Sequence, residues 1–169
     1  MSTDEIHLTF VNMINRAAIY TDGSCHTQSG QGAWVAIILT DGEKVVLSGS
    51  VQDTTHNRME LFAVIEGIKY AQNNFKGIQY LYIYSDSQYV TGLMERQYKL
   101  SNANFTTSKG TLIRNADLVQ ELYILGAQIQ LIFTKVKAHQ KQGIDINYNI
   151  DADKLVRKIM REELRRKGF

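Results

Sequence analysis

The chain has 169 residues, 44% of them hydrophobic and 21% charged, which suits one globular domain with enough apolar material for a core. No apolar run is long enough to cross a membrane, no basic-then-apolar leader opens the chain, and Cys25 is the only cysteine, so an internal disulfide is excluded and a reducing, cytoplasmic setting is expected. The net charge of +2 is too mild to name a polyanionic partner by itself, and the absence of proline leaves the turns to Gly, Asn, Asp and Ser.

Residues 1–16 lack clean periodicity and are assigned no role; a single domain is expected over 17–169. Ala17-Ala18-Ile19-Tyr20 starts a strand that meets Asp22-Gly23, a turn signal, so Asp22 is expected at a strand end with its carboxylate free to face a ligand. The polar stretch 24–32 reads as a loop. Its Gly30 and Gly32 are not in the register of a dinucleotide fingerprint, and a strand-like run, 33–39, follows instead of a helix. Asp41-Gly42 marks a hairpin turn with 44–51 returning, which gives a three-stranded antiparallel start.

A helix is expected over 58–73, with Leu61, Ile65 and Ile68 on its core stripe. Asn57 with Glu60 three residues on resembles a capping box, so Glu60 has a structural reading as a helix-start carboxylate. The almost wholly apolar run 78–84 reads as a central parallel strand. It leads into Ser85-Asp86-Ser87, so Asp86 repeats the arrangement of Asp22 at the strand edge where α/β sheets bind ligands. A short helix is expected to begin beside Asp86. The segment 95–116 reads as a long polar loop, 117–125 as a helix ended by Gly126, and 129–136 as a fifth strand. A final helix, 150–166, carries Asp151 and Asp153 at its start and a basic face further on.

Acids thus stand near the ends of two strands and the starts of two helices. If the sheet gathers them, their mutual repulsion calls for cations, and an all-oxygen donor set favours Mg²⁺ or Mn²⁺ over Zn²⁺. Two such ions roughly 4 Å apart suit in-line displacement at a phosphodiester.

Five motifs carry a family resemblance: Tyr20-Thr21-Asp22-Gly23-Ser24, Thr55-His56-Asn57-Arg58-Met59-Glu60-Leu61, Tyr84-Ser85-Asp86-Ser87-Gln88-Tyr89-Val90, Val136-Lys137-Ala138-His139 and Asn149-Ile150-Asp151-Ala152-Asp153. In this order they closely resemble the type 1 ribonuclease H family, over about residues 17–165. The resemblance implies an α/β ribonuclease H-like fold, a mixed five-stranded sheet with three antiparallel strands then two parallel ones, and helices on both faces. It implies metal ligation by Asp22, Glu60, Asp86 and Asp153, with Asp151 the rival for the fourth place. It implies proton transfer by His139, which suits histidine near neutral pH. The implied reaction is two-metal-ion hydrolysis of the RNA strand of an RNA/DNA hybrid, leaving 5′-phosphate and 3′-hydroxyl ends. Two Mg²⁺ ions are implied, with Mn²⁺ as substitute, and a monomer is expected. Ser24, Thr55, Asn57 and Gln88 match substrate-contacting positions: Asn57 and Gln88 near the RNA 2′-hydroxyls, Thr55 near a DNA phosphate.

The chain also departs from the family pattern. Thr27-Gln28-Ser29-Gly30 replaces a Gly-Asn-Pro-Gly run, His56 replaces an Asn, and 95–114 lacks the tryptophans and dense lysines of the basic protrusion. His139 also lies ten residues before Asn149, a longer loop than usual. A reverse-transcriptase domain, another nuclease of the same fold, and a non-catalytic hybrid binder are the competing readings. The N-terminal segment argues against the first, the Arg58-Met59-Glu60 entry against the second, and the intact acids against the third.

Overall fold

The computed structural model describes residues 15–137 and 147–168. Among them the chain forms strands β1 (Arg16–His26), β2 (Gln31–Leu39) and β3 (Lys44–Val51), helix α1 (His56–Asn74), strand β4 (Tyr80–Ser85), short helices α2 (Gln88–Thr91) and α3 (Gln97–Asn102), helix α4 (Ala116–Gln128), strand β5 (Gln130–Lys135) and helix α5 (Tyr148–Arg166). The sheet order is β3-β2-β1-β4-β5. The β1–β2 and β2–β3 pairs are antiparallel, and β1–β4 and β4–β5 are parallel, so the mixed five-stranded sheet expected from the resemblance is present.

Period-two alternation sends the sheet's side chains into two cores. On one face Ile19, Ile38, Leu81 and Ile83 pack with Leu61, Val64, Ile65 and Ile68 of α1 and Leu118, Val119 and Leu122 of α4. On the other, Ala33, Val35 and Ile37 of β2 meet Ala152, Val156 and Met160 of α5, with Tyr20 alongside. Each fully buried Ile or Leu contributes roughly 1.5–3 kcal/mol. The sheet is therefore clamped between helices, and the loops at the carboxyl ends of β1 and β4 are set by a rigid base.

Several expectations need correction. Asp22-Gly23 is no turn: β1 runs through it to His26, and the reversal comes at 27–30, where Gly30 takes φ +67° and its N–H bonds His26 O. Asn57 is not the cap of α1. Thr55 is, in extended backbone, its side chain accepting from Arg58 N at 3.3 Å. The polar segment 95–116 is not a plain loop. A 3₁₀ turn over Met94–Arg96 leads into α3, and a single bridge joins Thr106 to Leu112. Gly126 does not end α4, which continues to Gln128. A Cβ at Gly126 would lie 3.4 Å from both Leu131 Cδ1 and Met94 Cε, an ordinary van der Waals contact, so neither a helix stop nor tight packing accounts for glycine there. His139 lies outside the described residues.

Candidate active site

The pairing register builds the site. The last parallel pair of β1 with β4 is Thr21 with Ser85. Asp22 and Asp86 are the next residue on each chain, so both leave the paired region at the same level of the sheet. Asp22 shares the strand face of Tyr20, which is also the face that α5 covers. Asp22 therefore stands within β1 beside the end of β4.

Gly23 brings the third acid in. A Cβ there would lie 2.3 Å from Glu60 N and 2.5 Å from Met59 C, distances no side chain can occupy. Glycine lets the first turn of α1 lie directly on β1, which sets the Glu60 backbone beside Asp22. Glu60 is buried, 6% exposed. Its Oε1 lies 3.0 Å from His56 Nε2, one helical turn back, and its Oε2 accepts from the Ser87 hydroxyl. It is held by these contacts and not by a capping box.

The fourth acid comes from α5. Asn147 caps this helix, its side chain accepting from Asn149 N at 3.1 Å, and Asn149 and Ile150 are buried against the sheet. Asp153 is half-buried, and its Oδ1 accepts from Arg157 Nε at 2.9 Å across one turn. Asp151 is half-buried in the first turn of the same helix.

The electrostatics show which acids share a field. Asp22 is pushed from 3.8 up to about 7, first by burial, then by Asp86, with Asp153 and Glu60 adding to it. The Gly23 N–H, donating to Asp22 Oδ1 at 2.8 Å, opposes the rise. The α5 carboxylate in this group is Asp153. His56 is raised above its ordinary 6.5, chiefly by its hydrogen bond to Glu60, with Asp22 and Asp86 adding smaller effects.

Asp22, Glu60, Asp86 and Asp153 thus come together at one edge of the sheet. Among the described residues no three His, Cys, Asp or Glu side chains converge tightly enough, as they stand, to enclose an ion. Glu60 is turned to Ser87 and His56, and Asp153 to Arg157. The donor chemistry nonetheless fits a hard divalent cation: every candidate ligand is a carboxylate, and such an ion would relieve the repulsion that raises Asp22.

The residues expected to contact substrate lie on the elements that carry the acids or directly flank them. Ser24 lies two residues past Asp22 on β1, half-buried. Thr55 and Asn57 are exposed at the start of α1. Gln88 is exposed at the start of α2, on a cleft of about 840 Å³ that Tyr89, Arg96, Phe133 and Lys135 also line. Two residues at the site escaped sequence reasoning as partners of Glu60: His56 and Ser87. The His56–Glu60 spacing of four on a helix was a readable signal; nothing in the sequence sets residue 87 against residue 60.

Comparison with known proteins identifies the family. The family model for RNase H matches residues 15–161. A ribonuclease H of Thermoanaerobacter sp. (strain X514) is 38% identical over 146 residues, which cover 85% of this chain and 89% of that protein. One from Caldicellulosiruptor saccharolyticus is 34% identical, covering 88% of this chain and 99% of its own. Among solved structures, LC9-RNase H1, described as a type 1 RNase H with the type 2 active-site motif, superposes with a TM-score of 0.70 at 24% identity, over 86% of this chain and 72% of that one. The N-terminal RNase H domain of rv2228c from Mycobacterium tuberculosis gives 0.69 at 17% identity, over 90% and 99%; at these identities both speak for the fold. Sequence and architecture agree, and the chain belongs to the RNase H family.

Proposed function

We propose that Asp22, Glu60, Asp86 and Asp153 are the catalytic carboxylates with which this chain cuts the RNA strand of RNA/DNA hybrids into 5′-phosphate and 3′-hydroxyl ends. The hydrolase class and the hybrid substrate follow from family membership. The residue assignment is supported above all by the crowding at Asp22, whose carboxyl is pushed to about 7 by burial and by those three other acids. Two Mg²⁺ ions, or Mn²⁺ in their place, would be held by the four carboxylates and would supply charge neutralisation and Lewis acidity at the scissile phosphate.

The chain's own groups do the positioning. Asp22 is oriented by the Gly23 N–H and Glu60 by Ser87 and His56. Asn57 and Gln88 are proposed to contact the 2′-hydroxyls of the RNA strand in its shallow minor groove, which selects RNA over DNA without base readout, and Ser24 is proposed as a further substrate contact. Thr55 is proposed to contact a phosphate of the DNA strand. Its Oγ already accepts from Arg58 N, which leaves the hydroxyl proton to donate to a phosphate oxygen. His139 is proposed on sequence alone to help move protons near the attacking water or the departing 3′ oxygen. No helix among the described residues is long and apolar enough to span a membrane. Separately, the single cysteine supports the proposal of a reducing, cytoplasmic setting, and a monomer is proposed.

The test is cleavage of a labelled RNA/DNA hybrid beside RNA/RNA and DNA/DNA duplexes, with Mg²⁺, Mn²⁺ or EDTA. Cleavage confined to the RNA of the hybrid and lost in EDTA is expected. Equal cutting of all three substrates, or activity that survives EDTA, would overturn the proposal.

A further inference from the structure

Ser87 is buried, 6% exposed, and follows directly after Asp86. It caps α2, its Oγ accepting from Val90 N at 3.3 Å. Its backbone is fixed on both sides: its N–H donates to Ser85 Oγ at 3.2 Å, and its carbonyl accepts from Thr91 Oγ1 at 3.0 Å. Capping uses only the acceptor side of a hydroxyl. The remaining proton, in a buried place, requires an acceptor of its own. That acceptor is Glu60 Oε2, 27 residues earlier and on a different helix.

From this we infer that Ser87 is a positioning residue: its hydroxyl locks the Glu60 carboxylate to the start of α2, and so to Asp86, giving two acids from separate elements one mutual geometry. The inference rests on the proposed roles of Glu60 and Asp86 as ligands. The chain path explains the need. Glu60 is carried by α1 and Asp86 by the end of β4, and no main-chain hydrogen bond joins these two positions. The bond from Ser87 is charge-assisted and buried, the strong kind, and it costs the site no donor that a substrate needs. Partners of this sort orient a ligand before the ion arrives, and removing one typically weakens metal affinity about 10–100-fold.

The experiment titrates Mn²⁺ alone into the hybrid-free protein, following the electron paramagnetic resonance of the free ion, for wild type, Ser87→Ala, Ser87→Thr, Thr91→Val and Glu60→Gln. Ser87→Ala should weaken Mn²⁺ binding about 10–100-fold. Ser87→Thr, which keeps the hydroxyl, and Thr91→Val, which loosens the same turn without touching Glu60, should stay within about threefold of wild type, well short of that loss. In cleavage assays Ser87→Ala should raise the Mg²⁺ needed for half-maximal rate and leave the KM for hybrid unchanged. An unchanged Mn²⁺ affinity in Ser87→Ala, or an equal loss in Thr91→Val, overturns the role. Ser87→Cys, of similar volume but a poor donor, carries the same test should Ser87→Ala fail to fold. Glu60→Gln separates the two levels: if it leaves Mn²⁺ affinity intact, the ligand assignment itself falls. If it weakens binding and Ser87→Ala does not, only the role of Ser87 falls.

Discussion

Asp22→Asn should stabilise the ion-free protein at alkaline pH while abolishing cleavage. A carboxyl raised from 3.8 to about 7 holds its proton more tightly in the folded than in the unfolded chain. Folding is therefore favoured while Asp22 is protonated, and that advantage is lost as pH rises from about 4 through about 7. At about 1.4 kcal/mol per pH unit the full gap corresponds to roughly 4 kcal/mol. Asp22 is only half-buried and shares its field with Asp86, so about 2 kcal/mol is the working figure. Asparagine removes the charge and keeps an oxygen for the Gly23 N–H, so the hydrogen bond at 2.8 Å survives. In EDTA at pH 8 the variant should melt about 4–8 °C above wild type, by the usual conversion for a domain of this size. At pH 4 the difference should shrink toward zero. Added Mg²⁺ should raise the wild-type melting temperature at pH 8 far more than that of the variant. Scanning calorimetry across pH 4–8 decides it. A variant that melts below wild type at pH 8, or a difference independent of pH, would refute the account of crowding at Asp22.

Two other substitutions probe the same edge. Gly23→Ala should destabilise the fold by about 3 kcal/mol, the upper end of ordinary overpacking, because its Cβ would fall 2.3 Å from main-chain Glu60 N; urea denaturation measures this, and a loss under about 0.5 kcal/mol would mean that α1 can lift off β1 freely. Asp153→Asn should cost far more turnover than Asp151→Asn, at least about tenfold on the scale of lost ligands and their partners, since Asp153 is the α5 acid that presses on Asp22; the reverse order in single-turnover cleavage would reassign the fourth position. Arg58→Gln should cost no more than about 1 kcal/mol, and less at high salt, because its paired bonds to Asp117, at 2.9 and 2.6 Å, are exposed; a larger, salt-independent loss in the same urea assay would show that this pair braces the start of α1.

The strands and long helices were legible because burial imposes periodicity. The apolar run into Tyr84 is a strand packed on both neighbours, and Leu61, Ile65 and Ile68 are fully buried on α1. What escaped reading was decided by contacts between distant segments. The cap of α1 fell to Thr55 because its extended backbone lies just before the first helical turn, whereas Asn57 already has helical geometry. The helix α3 was hidden because Gln97–Asn102 carries few apolar residues and buries none of them. Gly126 looks like a helix stop in one dimension, but α4 runs two residues past it to Gln128.

The Asp-Gly pair at 22–23 shows how one local signal can carry two meanings. As a dipeptide it is a turn, because glycine tolerates the backbone angles a turn demands. In the fold it sits inside an eleven-residue strand, and the property in use is glycine's missing side chain, not its freedom of φ. The two explanations make the same demand on the residue, so no reading of the dipeptide can separate them. The difference lies 37 positions away, where Met59 and Glu60 approach the strand. Because that approach is possible only over glycine, the pair specifies the edge in both halves: Asp22 contributes one carboxylate, and Gly23 admits the helix that brings another. β1 can run on past Asp22 because its antiparallel pairing with β2 continues to His26 while its parallel partner stops at Ser85. The carboxylate edge forms at that mismatch, where β1 runs on past Asp22 while β4 ends at Ser85 and the chain passes directly into Asp86.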